Sequence, residues 1–245
     1  MTKKQLIVLY AISILAVAVV LFLKPIRQDQ NYHQFSDGNT LFLIPNFWNV
    51  ISNFPFIVIG IIGLAKMFPI QNYPLKPNYI WFFVGIVLTG FGSGYYHWNP
   101  NNTTLVWDRL PMTISFMSFL SVIIGEFINN SSGKKLLYPM LLAGLLSIVY
   151  WICSGDLRFY ALIQFLPILL ILFILFLSKK EQRYKKYFWL IIVSYAIAKF
   201  LESYDSVVYR ITYEMISGHS LKHFAAAAGP FLFYKFADRK FKSEY

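Results

Sequence analysis

Apolar residues run through this chain in blocks of about 20, the length an α-helix needs to cross the hydrocarbon core of a bilayer. Eight blocks stand out: Gln5–Leu23, Asn46–Lys66, Tyr79–His97, Asp108–Ile128, Leu136–Cys153, Phe159–Leu177, Tyr187–Tyr204 and Gly218–Phe236. None alternates with a sustained period of two, which argues against a β-barrel. The pattern predicts an all-α integral membrane protein with eight spans. The first block follows Lys3 and Lys4, and Ala16-Val17-Ala18 inside it has the small-x-small form of a signal cleavage site. The apolar run continues past that site to Leu23, so the block reads better as an uncleaved anchor. This divides the chain into an N-terminal anchor at 1–30 and a helical body at 31–245.

Composition agrees with the pattern. Hydrophobic residues make up 57% of the 245 and charged residues 13%, against about 25% charged in soluble domains. The net charge of +11 is explained by topology. With the N-terminus in the cytoplasm, fifteen Lys and Arg fall in cytoplasmic segments and five in outer ones. That asymmetry, the positive-inside pattern, supports an even number of spans and cytoplasmic termini. No basic stripe with interleaved aromatics is present, so a nucleic-acid partner is not expected. The lone cysteine, Cys153, lies in an apolar run and is expected to be a small buried residue. Tyr95, Tyr96, Trp98 and Trp107 sit near span ends, where interfacial anchoring accounts for most such aromatics.

Ionisable residues inside spans are expensive and mark function. Of the four histidines, His33 is in a loop, and His97, His219 and His223 lie at or within span ends. The charge-derived topology brings those three, together with Asp108, to the outer ends of their spans. His219 and His223 are four apart and share one helix face, a spacing that can grip one divalent ion. A third nitrogen from His97 gives a three-histidine set with one open position, the layout of a catalytic zinc. Ser217-Gly218 ahead of the pair resembles a helix start. Ser93, one turn before His97, suits a donor to a developing oxyanion. Asp108 suits a proton acceptor or an orienting partner for a histidine, or a helix N-cap ahead of Pro111. Each residue also has a packing explanation, as an interhelical hydrogen bond. Lys199, Glu202 and Asp205 form a second polar group on the seventh span, with Lys222 near enough to join it. It reads as an interhelical salt bridge, or as a headgroup contact.

The runs Gly92-Ser93-Gly94-Tyr95-Tyr96-His97, Asp108-Arg109-Leu110-Pro111-Met112 and Gly218-His219-Ser220-Leu221-Lys222-His223 resemble the alkaline ceramidase family. So does Phe47-Trp48-Asn49-Val50-Ile51-Ser52-Asn53 at the start of the second span. That family belongs to the seven-helix intramembrane hydrolases, which include the adiponectin and progestin receptors. The resemblance runs from about Tyr32 to the C-terminus. It implies a seven-helix core plus an added N-terminal helix, and zinc on His97, His219 and His223 with a water in the open position. It also implies Ser93 and Asp108 at the reaction centre, and hydrolysis of the amide of a ceramide-like membrane lipid to a sphingoid base and a fatty acid. Eukaryotic members carry a calcium site ending in a glutamate beside Phe-Trp-Asn. Here that position is Asn46 and the acidic run is reduced to Asp37, so calcium is not expected. Arg109 stands where those relatives have an acidic residue, and Asp-Arg is similar to bacterial members, which implies an inner-membrane location. Hydrolysis of another lipid bond, or a receptor or transporter role on the same fold, remains open at this point. Dependence on a metal separates the hydrolase from the latter.

Overall fold

The computed structural model describes residues 3–180 and 182–244, with the backbone alone at 183, 243 and 244. Met1 and Thr2, the head of the expected anchor, lie outside the described residues. The helices are α1 (Lys3–Phe22), α2 (Phe47–Ile51), α3 (Phe54–Met67), α4 (Lys76–Trp98), α5 (Asn102–Phe127), α6 (Asn130–Ser154), α7 (Arg158–Leu177), α8 (Gln182–Ser203), α9 (Asp205–Ile211) and α10 (Gly218–Glu244). Among the described residues, six segments are long and apolar enough to cross a membrane: α1, the α2–α3 pair, α4, α5, α6 and α7. The 22 residues of α8 and 27 of α10 also suffice at about 1.5 Å per residue. Their charged side chains lower their hydropathy. The protein is an all-α membrane bundle.

Local chemistry moves several boundaries. The fourth span begins at Asn102, not Asp108. The Asn101 side chain accepts from the N–H groups of Thr103 and Thr104 at 2.9 and 3.0 Å, while Thr104 Oγ1 accepts from the Asn101 N–H at 3.2 Å. This capping box satisfies the first turn and carries Asp108 well inside the helix, so Asp108 is not an N-cap. The sixth helix likewise starts early, capped by Asn129. The second span is two helices, because α2 ends at Ile51 and α3 restarts with a proline in its first turn. The short α9 carries no apolar pattern long enough to announce it.

Contacts sort the helix ends into two sets. Lys66 pairs with Asp238 at 2.8 Å, Lys240 with Glu126 at 2.7 Å, and Gln5 donates to the Leu177 carbonyl. These join the start of α1 to the end of α7, and the end of α10 to the ends of α3 and α5. At the other end, Asp156 accepts from the Ile26 N–H at 3.1 Å, Arg158 donates to the Leu23 carbonyl, and Asn46 donates to the His97 carbonyl at 2.9 Å. Helices α4 and α5 pack most extensively; α10 packs on α8 and α3, and α1 lies along α7. Tyr79, Phe82, Phe83, Phe188 and Phe233 form the centre of the larger core. Large apolar side chains such as Ile61, Leu142, Phe176 and Phe200 are exposed, as expected where lipid is the solvent. Cys153 is exposed rather than buried, because its side of α6 faces outward. Tyr95, Trp98 and Trp107 are exposed, but Tyr96 is buried and its hydroxyl meets His33 Nδ1 at 2.9 Å.

Candidate metal centre and lipid cavity

Backbone approach at two glycines sets the site. Gly92 lies against the carbonyl of Trp107, where a Cβ would collide, so α4 and α5 meet closely one residue from Ser93 and one from Asp108. Gly218 lies against the Leu201 carbonyl and the backbone of Asp205, which seats the start of α10 on the end of α8. The first turn of α10 is then capped twice. Ser217 Oγ accepts from the Ser220 N–H at 3.2 Å, and Asp205 Oδ1 accepts from the His219 N–H at 2.7 Å. Asp205 therefore leaves the polar group expected on its helix. Its second oxygen accepts from the Ser36 N–H at 3.0 Å. Glu202 keeps both lysines, Lys199 on its own helix and Lys222 on α10 at 2.6 Å.

His97, His219 and His223 are all buried. Their ring centroids are 4.9, 5.0 and 5.1 Å apart, and one ligand nitrogen from each lies within 4.8 Å of the others. Among the described residues, this is the group of three metal-type side chains able to hold an ion. Nε2 of His97 and Nε2 of His219 are 3.4 Å apart. Two nitrogens bound to one tetrahedral zinc at 2.0–2.1 Å stand about 3.4 Å apart, so the pair fits that donor geometry. Nδ1 of His223 is 2.7 Å from Ser52 Oγ, whose own hydroxyl donates to the Asn49 carbonyl at 3.3 Å. In the tautomer protonated at Nδ1, Ser52 accepts from that N–H and the Nε2 lone pair is left for a metal. Among the described residues, no carboxylate joins the three rings.

Supports that the sequence pattern did not reveal surround the rings. Asn49 donates to the Asp37 carbonyl at 2.8 Å and accepts from Ser220 Oγ at 2.8 Å, tying α2 to α10. Phe35 packs at a tilt against His97 and His219 with centroid distances of 4.7 and 4.4 Å, roofing the site from the loop after α1. The Asp37 side chain is buried beside them and accepts from the Asn39 N–H. Burial pushes its carboxyl above the usual carboxylate range, and the Asp205 charge acts in the same sense. The signal for Asn49, Ser52 and Asn53 was three polar residues in five positions of an apolar span.

Below the rings lies a cavity of about 340 Å³, within the usual size of ligand pockets. Its polar end includes Ser93, Asp108, Arg109, Glu202, Lys222 and His223, and Phe82, Ile86, Phe119 and Phe233 line its apolar part. Ser93 is buried, and its side chain and the Asp108 carboxylate both line the polar end of the cavity. The structure thus brings the three histidines into one cluster, and Ser93 and Asp108 into one pair beside it. Helices α7 and α8 border this cavity but scarcely touch each other.

Comparison with known families gives one match: the ceramidase family model covers residues 39–233. No curated protein matches the sequence. The matched stretch begins after α1 and reaches into α10, so it contains all five site residues.

Proposed function

The chain belongs to the ceramidase family, hydrolases of the ceramide amide bond, and from that premise we propose a zinc-dependent intramembrane amidase whose metal is held by His97, His219 and His223. The observation that carries this reading is the convergence of three buried imidazoles, from α4 and α10, on one point beside a largely apolar cavity. Zinc at that point would act as a Lewis acid toward the amide carbonyl and toward water.

The remaining roles belong to the chain's own groups. Ser93 donates its O–H to the oxygen that gains charge as the amide carbonyl becomes tetrahedral. Asp108 takes a proton from the attacking water and returns it to the amide nitrogen. The C–N bond then breaks, releasing a fatty acid and the free amine of a sphingoid base. Ser52 holds His223, and the Asn46 amide holds the turn that carries His97. The apolar walls exclude bulk water and accommodate acyl chains, while the gap between α7 and α8 suits lateral access from the bilayer.

The fifteen-to-five charge distribution supports a cytoplasmic N- and C-terminus and a site near the non-cytoplasmic face. In this reading α1 is an added anchor, and residues 31–245 carry the hydrolase. Purified protein incubated with ceramide in mixed micelles should release sphingoid base. Release should stop on zinc chelation and return on zinc addition. Turnover that persists without metal would contradict the assignment.

A further inference from the structure

Arg109 follows Asp108 on α5 and has only 7% of its surface exposed. Three aromatic rings surround its guanidinium: Trp151 at 4.7 Å, Tyr160 at 4.9 Å and Tyr32 at 5.4 Å from the ring centroids. Ring faces stabilise a cation, but a guanidinium also has N–H groups in its plane that need acceptors. Nη1 of Arg109 is fully buried and, among the described residues, has no hydrogen-bond partner. A buried charged donor without an acceptor is costly, and Arg109 is one of the residues lining the cavity.

Nearby carboxylates are committed elsewhere. Glu202 is held by both Lys199 and Lys222, and Asp108 faces Ser93. The polar end of the cavity therefore has three cationic side chains, Arg109, Lys199 and Lys222, against two carboxylates. The excess positive charge falls at Arg109, which among the described residues forms no salt bridge while Lys199 and Lys222 share Glu202.

We propose that Arg109, in its cage of Tyr32, Trp151 and Tyr160, is a specificity-determining residue that binds an oxyanion carried by the lipid. The proposal rests on the amidase reading for the orientation of that lipid and deepens it into a substrate class. The oxyanion has two chemical sources, an acidic headgroup on the sphingoid portion or the carboxylate of the released fatty acid. Either would accept from the in-plane N–H groups of the guanidinium.

Binding to the detergent-solubilised full chain tests this with two matched pairs. Ceramide 1-phosphate is compared with ceramide, and palmitate with hexadecanol. The wild-type chain should bind one anionic partner at least about tenfold tighter than its neutral match, the scale of a charge-assisted hydrogen bond. Arg109→Gln should bring that ratio near one. Arg109→Lys keeps the charge but loses the fork, and should retain part of the preference. Lys134→Gln, at an exposed lysine near the start of α6, should leave it intact. A preference for ceramide 1-phosphate assigns the site to the headgroup, and one for palmitate alone assigns it to the product. No preference in either wild-type pair, survival of the preference in Arg109→Gln, or an equal fall in Lys134→Gln would overturn the proposal. A chain that keeps the anion ratio but releases sphingoid base from no ceramide would sink the amidase reading and leave this one standing. A chain that hydrolyses ceramide without anion preference does the reverse.

Discussion

Ser52 makes one hydrogen bond to the candidate metal centre, and it decides which nitrogen of His223 is available. Replacing such an orienting partner lowers metal affinity about 10- to 100-fold. Ser52→Ala should therefore weaken zinc binding on that scale, measured by competition with a chelator of known affinity. Unchanged affinity would make Ser52 a packing residue only. Ser93→Ala should keep the metal and reduce turnover about a hundredfold or more, the usual loss of one oxyanion donor. An unchanged rate would return Ser93 to structural hydrogen bonding. The histidine cluster was legible in the sequence because ionisable residues in a span are costly, whereas Ser93 and Asp108, each with a bland packing or capping explanation, were singled out by their place at the same end of the bundle and by the family resemblance. Asn46, Asn49 and Ser52 were not assigned roles, since a neutral polar side chain in an apolar run is common and carries no statement of its partner. Phe35 was illegible for another reason: an aromatic residue in a loop has no periodicity from which its direction follows.

Helix-scale geometry depends on where backbones touch. Gly92 allows α4 to approach the Trp107 carbonyl of α5, and that approach holds Ser93 beside Asp108. Overpacking of this kind costs about 1–3 kcal/mol. Gly92→Ala should destabilise the fold by about that amount and cut turnover while the protein still binds metal. Loss of metal with full stability would place the effect elsewhere. The eight apolar blocks were legible because a bilayer demands long continuous runs. Their ends were less so, because caps decide them. Asn101 and Thr104 start α5 six residues ahead of Asp108, and Asn129 starts α6 six residues ahead of Leu136. The break inside the second span, and the departure of Asp205 to cap α10, depend on contacts between distant segments that hydropathy does not encode.

For the whole molecule, the charge asymmetry and the observed sorting of helix ends agree on which loops share a side. In a Cys153→Ser background, Thr103→Cys should react with a membrane-impermeant thiol reagent in intact cells. Ser131→Cys should react only after permeabilisation. The opposite pattern would invert the topology and move the site to the cytoplasmic face. The bundle and its single-ended site were legible from run lengths, loop charges and the family resemblance. The cavity was not, nor was the buried Glu126–Lys240 pair joined by Tyr73 and Tyr79 at the other end. Both require knowing which helix faces meet. The measurement that bears most directly on the central claim is elemental analysis of the purified wild-type chain beside His219→Ala. The account expects about one zinc per wild-type chain and little in a variant that still inserts and remains folded. Full zinc occupancy in His219→Ala, or a folded and active wild-type chain without zinc, would contradict it.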